Sequence, residues 1–293
     1  MVPLSLFLWI ACEIAVWLAI AHGWLGASWP VAAACALGGL LGLRAGIVAV
    51  TWAFAAAHDA GEAPLSLPGR LAMWLLEYGA FIAHFVCILP LERLWMAPDR
   101  LHPCKHPILL VHGYGCSRGV WWWLRRRLEA AGHVVATVSL APPYTSIGKL
   151  VPQLATRIDE VCAATGARHV TLVAHSMGGL VCRSYLARFG DERIARLVTL
   201  ATPHAGTELA RIGFGQNARE MEPDSVWLRD LNAEPRAVPV VAVRNIHDNY
   251  VMPDRNQQLP GAREMTLDGI GHLALLFSDR VAAMIIRAVG KAE

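Results

Sequence analysis

Charge is almost missing from the beginning of this 293-residue sequence: between Met1 and Ala57 only Glu13 and Arg44 carry one. A stretch so poor in charge points to a bilayer and not to a soluble domain. Paired cysteines are missing too. The seven cysteines (12, 35, 87, 104, 116, 162 and 182) are odd in number and never form C-x-x-C. That suits free thiols in a reducing compartment better than a disulfide framework. No basic run with interleaved aromatics accompanies the formal net charge of +3, so nothing argues for nucleic acid. No P-loop, dinucleotide fingerprint or H-E-x-x-H is present, so no cofactor is implied. His102, Cys104 and His106 stand close together, but two prolines and the lack of a fourth ligand make a metal site there a poor expectation.

What is present first is apolar length. Leu4 to Ala21 and Val31 to Ala57 are apolar runs, each broken by a single charge, and crossing the hydrocarbon core takes about 20 helical residues. The short uncharged link from His22 to Pro30 makes them a hairpin. A cleaved signal peptide fits less well, because Glu13 interrupts the first run, no basic segment precedes it and a second run follows. Glu13 and Arg44 would meet near mid-depth, where a mutual ion pair or a partner subunit offsets the cost of burial better than a conducting role would explain it. Leu71 to Leu91 is long enough to cross, yet Glu77 and His84 recur seven apart on one helical face. Such a helix can also lie in the interface or on a globular domain, and we read it as a third membrane-associated helix. Arg93, Arg100 and Lys105 follow it, whereas the first link carries no Lys or Arg. By the positive-inside rule the remainder of the chain sits on the cytoplasmic side, in a bacterial inner membrane.

From about Leu101 strands and helices alternate. Ile108–Val111, Val134–Val138, Val170–Val173, Ile194–Leu200, Val238–Val243 and Arg263–Leu267 read as strands. Arg118–Ala131, Ile147–Ala164, Met177–Phe189 and Leu273–Val289 read as helices. The alternation predicts an α/β domain, a mostly parallel sheet covered on both faces by helices. The organisation expected is thus a membrane region over residues 1–100 and a globular domain over 101–293.

The stretch VTLVAHSMGGL, Val170 to Leu180, joins a strand to a helix through Ser176, with small residues at 174 and 178. Small residues two before and two after a serine let the backbone turn sharply and present the hydroxyl at the top of a sheet. Here the pattern is A-x-S-x-G, with Ala174 where glycine is usual. At these residues the chain resembles the α/β-hydrolases, and more narrowly the bacterial lipases whose elbow is also AHSMG. Three further segments resemble the same lipases: HGYG at 112–115, TPHAG at 202–206 and GIGHLALLF at 269–277. The likeness runs over Pro107 to Val289 and leaves out the N-terminal apolar segments.

A serine needs a base to take its proton and a third group to orient that base. The order implied by the resemblance is Ser, acid, His. Asp248 stands just past the strand VPVVAVRN and His272 in a Gly-rich loop before the last helix. Asp254 and Asp268 are rival acids, read more simply as loop carboxylates. An oxyanion hole would use the backbone N–H groups of Met177, after the serine, and of Tyr114, in the HGYG loop. His112 and His204 are read as shaping their loops. The apolar members of a rim from Ala205 to Pro235 (Ile212, Phe214, Val226, Trp227 and Leu228) are expected to pack inward. Trp121–Trp123 and Arg125–Arg127 could press on lipid headgroups, but Val120, Leu124 and Leu128 make a buried helical stripe that would leave the arginines on a solvated face.

The resemblance then implies a membrane-anchored serine hydrolase acting on a lipid or another ester through Ser176, His272 and Asp248, with no cofactor. A phospholipase, thioesterase or acyltransferase would use the same three residues, and a scaffold with a vestigial hydrolase domain would not need them. Protein partners are left open.

Overall fold

A computed structural model of the chain describes residues 2–58, 64–234 and 238–290. The end of the expected rim, Pro235, and the last three residues of the expected 101–293 domain lie outside them. The apolar N-terminal part forms α1 (Val2–Leu18), prolonged by wider turns to Trp24, α2 (Trp29–His58) and α3 (Leu67–Ile82), prolonged likewise to Ile88. All three are long and apolar enough to cross a membrane. The first turn is tighter than the sequence suggests. The His22 ring bonds to the Ala27 carbonyl at 2.7 Å and stacks on Trp29 at 3.9 Å, closing the hairpin. Ser66 caps α3 by accepting the Gly69 N–H, and Pro68 sits in its first turn, where its missing N–H costs nothing.

Inside the hairpin, Arg44 donates to the Glu13 carboxylate and to the Leu40 carbonyl at 3.2 Å. Both side chains are shielded, so neither charge faces lipid alone.

A short turn, α4 (Glu92–Trp95), leads into the α/β part: β1 (Ile108–Val111), α5 (Trp122–Ala130), β2 (Val135–Val138), α6 (Ile147–Thr165), β3 (Val170–His175), α7 (Met177–Phe189), β4 (Ile194–Leu200), α8 (Gln216–Glu220), α9 (Val226–Ala233), β5 (Val240–Asn245), β6 (Arg263–Leu267) and α10 (Asp279–Val289). The six strands form one parallel sheet in the order β2-β1-β3-β4-β5-β6. The expected last helix is two pieces, because Ser278 leaves helical geometry and caps α10 by accepting the Val281 N–H.

β1, β2 and β3 are buried along their whole lengths, β1 as the unbroken run ILLV and β2 and β3 with Ala136, Thr137, Thr171 and Ala174 buried among their apolar residues. α6 shows how one covering helix is specified. Ile147, Leu150, Val151, Leu154, Ile158, Val161 and Cys162 recur at helical spacing and are all buried, and Gly166 ends the helix at φ +70°. Because the chain leaves β1 for β2 and returns to β3 on the other side of β1, the loops after β1 and β3 part at a topological switch point. Parallel sheets present a crevice there, at the strands' carboxyl ends.

The boundary at residue 100 is not a free linker. Asp99 is a buried hub that accepts from Arg118, Arg125 and Arg157 at 2.9, 3.0 and 2.7 Å and from the Thr137 N–H at 2.7 Å. Arg125 is therefore buried and not part of a solvated face, while Arg126 and Arg127 lie over the rings of Trp122 and Trp123.

Removing one member of a buried ion pair costs about 3–5 kcal/mol, because the other charge is left without compensation. Arg44→Ala should accordingly lower the melting temperature of the detergent-purified protein. Glu13→Ala combined with Arg44→Ala should recover most of the loss; equal melting of the single and double variants would contradict a stabilising pair.

Candidate active site

Ser176 follows β3 directly and starts α7, with φ +55° and ψ −129°. A side chain held in this region costs about 1–3 kcal/mol, which persists only where the surroundings impose it. They do so by close approach. A Cβ on Gly178 would lie 2.5 Å from the Val111 carbonyl oxygen and 2.7 Å from that of His112, and one on Gly113 would lie 2.9 Å from the Ser176 Cβ. The two loops at the switch point are thus packed backbone to backbone, with the serine between them.

The β1 loop is set by His112. Its Nε2 accepts the Leu140 N–H at 2.9 Å, so its Nδ1 carries the proton and donates to the Gly113 carbonyl at 2.9 Å. Burial holds this imidazole neutral, down to about 4. Among the described residues, the backbone N–H groups of Tyr114 and Met177 have no protein acceptor. Met177 heads α7, where unpaired N–H groups favour an anion. The Tyr114 hydroxyl meanwhile bonds to both the carbonyl and the N–H of Phe214, and its ring joins Tyr144 in an edge contact at 5.1 Å.

Asp248 and His272 meet across 24 residues. Nδ1 of His272 is 2.8 and 3.0 Å from the two carboxylate oxygens, and one of these oxygens also accepts the N–H groups of Tyr250 and Val251 at 2.7 and 2.8 Å. The rivals are occupied elsewhere: Asp254 pairs with Arg244 and Asp268 with Arg280, each at 2.6 Å. Ser176 and His272 are not hydrogen-bonded to each other here. Tyr250 stacks on the His272 ring at 5.0 Å, and both Tyr250 and Ser176 line one pocket of about 330 Å³.

Four supporting residues escape a reading of motifs. His175 bonds through Nε2 to the His272 carbonyl at 3.2 Å. Asn249 accepts the His272 N–H at 3.0 Å and donates to the Thr51 hydroxyl of α2 at 2.7 Å. Most unexpected is Glu77 of α3. Its carboxylate accepts the N–H groups of Leu273 and Ala274 at 3.0 and 2.8 Å, and a Cβ on Gly271 would run into it. The sevenfold spacing of Glu77 and His84 was the only sequence signal. Both are buried against the α/β part, with the His84 ring stacked on Phe277 at 4.6 Å.

His204 is buried between Thr199 at 3.1 Å and Arg183 at 3.4 Å. The rim departs from expectation. Leu228 packs inward, but Ile212, Phe214 and Val226 are 60%, 74% and 63% exposed. Ile212 lines the pocket that holds Ser176, and Phe214 is bonded through its backbone to the Tyr114 hydroxyl beside it.

Residues 106–224 match the family model described as alpha/beta hydrolase fold. The mature lipase BlEst2 of Bacillus licheniformis superposes with a TM-score of 0.56 at 19% identity, over 67% of this chain and 96% of that one. The chain has the α/β-hydrolase fold. Within this hydrolase-type sequence, 136 residues are 32% identical to a triacylglycerol lipase of Burkholderia plantarii, and 149 are 33% identical to one of Pseudomonas fragi. These alignments cover 44% and 45% of this chain and 37% and 50% of those lipases, so the chain spans half or less of these two relatives.

Two outcomes follow from this geometry. His112 binds its proton only near pH 4 when folded but at about 6.5 when unfolded, so the unfolded chain takes up the proton first as pH falls. The stability tied to its neutral form is complete above pH 6.5 and is lost on descending towards 4. His112→Asn should flatten the denaturation midpoint across that window, and an unchanged slope would remove His112 as a source. Glu77→Ala leaves two buried N–H groups unpaired at about 1–3 kcal/mol each. It should lower the melting temperature and speed amide exchange at Leu273 and Ala274; unchanged exchange there would contradict the anchoring.

Proposed function

We propose that the protein is a membrane-anchored serine esterase or lipase. The observation that carries this reading is the buried Asp248–His272 pair, whose imidazole stacks on Tyr250, a residue that lines the same apolar pocket as the strained Ser176. In this reading the Ser176 Oγ attacks an ester carbonyl while Nε2 of His272 takes its proton, and Asp248 holds the ring through Nδ1. The oxygen that gains charge is met by the N–H groups of Tyr114 and Met177, and each such donor is typically worth about 3–4 kcal/mol. As the tetrahedral intermediate collapses, the carbon–oxygen bond to the alcohol breaks and His272 returns the proton to the leaving oxygen. Water, deprotonated by the same histidine, then releases the acid and restores the serine.

The likeness to triacylglycerol lipases supports an acyl ester of a lipid as substrate. The three apolar helices support attachment to a bilayer. Arg93, Arg100 and Lys105, which follow the last of them, support the cytoplasmic side of a bacterial inner membrane as the location of the α/β part.

Detergent-purified protein should hydrolyse p-nitrophenyl esters and label with a fluorophosphonate. Ser176→Ala should lose both, Asp248→Asn should retain the fold with kcat lower by about 10³–10⁴, and His272→Ala should be comparably impaired. A folded wild type that neither turns over esters nor takes the label would end this reading; a labelled protein inert to every ester would point to acyl transfer to an acceptor other than water.

A further inference from the structure

The pocket beside Ser176 is not built by the hydrolase part alone. Ile47, Val50 and Thr51 of α2 line it together with Leu209, Ile212 and Val251 of the α/β part. We infer that α2 is half of an acyl-binding site, and that the substrate is a long-chain acyl lipid of the bilayer itself, entering sideways between α2 and the rim. The inference rests on the esterase reading above.

Three observations carry it. The first is continuity. Leu43, Ile47 and Val50 stand at i, i+4 and i+7, one stripe of a helix, and they are 46%, 42% and 48% exposed. Ile47 and Val50 therefore belong both to the pocket and to the outer surface of the helix, and the same pocket is lined by the exposed Ile212 and by Tyr114, to whose hydroxyl the backbone of the exposed Phe214 is bonded. A chain lying along α2 in lipid would reach Ser176 without crossing a polar barrier, whereas in water the same surface would be a liability.

The second is depth. α2 starts at Trp29, a residue type that favours the membrane–water boundary. At 1.5 Å per residue, Ile47 to Thr51 lie roughly 27–33 Å along the axis. The hydrocarbon core is about 30 Å thick, so the pocket falls at the opposite boundary, the level at which the ester groups of membrane lipids reside.

The third is the treatment of the one hydroxyl on this wall. Thr51 donates to the Val48 carbonyl at 2.8 Å and accepts from Asn249 at 2.7 Å. Its polarity is consumed by the helix and by the His272 loop, which keeps the wall apolar and ties its position to that of the imidazole through Asn249.

The test compares kcat/KM for p-nitrophenyl acetate and palmitate in wild type, Val50→Trp and Ile47→Trp. A bulky ring on the α2 wall should lower the palmitate-to-acetate ratio at least tenfold in either variant. A second measurement uses the wild type in vesicles, with a long-chain fluorophosphonate carrying a photoreactive group midway along the chain. After attachment at Ser176, cross-links should fall in the peptide containing residues 43–51. An unchanged ratio, or cross-links confined to the rim and absent from α2, would overturn this inference while leaving the esterase intact. Absence of both turnover and labelling in wild type would overturn the esterase reading, and this one with it.

Discussion

A carboxylate in an apolar helix holds the end of the hydrolase sheet in place. Glu77 accepts two N–H groups that immediately follow His272, groups that begin a helical turn and so have no partner within it. Buried where water does not reach, they need an acceptor, and a helix some 196 residues earlier in the chain supplies it. Gly271 is glycine because that carboxylate occupies the space of a side chain. The orientation of His272, its bond to Asp248 and its stacking with Tyr250 all depend on a loop fastened from the N-terminal helices.

The same dependence recurs nearby. Thr51 reaches the His272 N–H through Asn249, and Val48, Ala80 and Phe81 pack on Leu273 and Ala274 in a small core of their own. The N-terminal helices are therefore joined to the hydrolase part by both hydrogen bonds and apolar packing. Asp99 fastens the connecting segment with three arginines. Helices that served only as a tether would require none of this, and its presence ties the geometry of the pocket to that of the helices.

Strain is localised where it can act. Ser176 occupies a backbone region that a side chain normally avoids, and Gly113 and Gly178 allow the neighbouring loop to approach closely enough to enforce it. His112, kept neutral by burial, fixes that loop in one tautomer with a donor on one side and an acceptor on the other. The outcome is two N–H groups beside a serine that have no protein acceptor among the described residues, the arrangement that the proposed acyl transfer requires.

The sequence by itself determined the sheet and the residues that stand at its carboxyl end. Short apolar runs such as ILLV, bounded by turn residues and alternating with helical periodicity, pointed to strands of a parallel sheet, and the glycines of HGYG and AHSMGG pointed to sharp turns. Asp248 could be preferred over Asp254 and Asp268 from its place after β5, but that it alone reaches His272 was decided by the fold. What no local pattern contained was Glu77, Asn249 and Thr51 beneath the histidine loop, the exposed rim at Ile212 and Phe214, and the burial of Arg125. Periodicity reports which side of a helix is apolar, not what will cover it. A lone acid in an apolar helix reads the same whether it faces a counter-ion, a pore or a backbone. Only the tertiary structure, by bringing α3 against unpaired N–H groups distant in sequence, decided which.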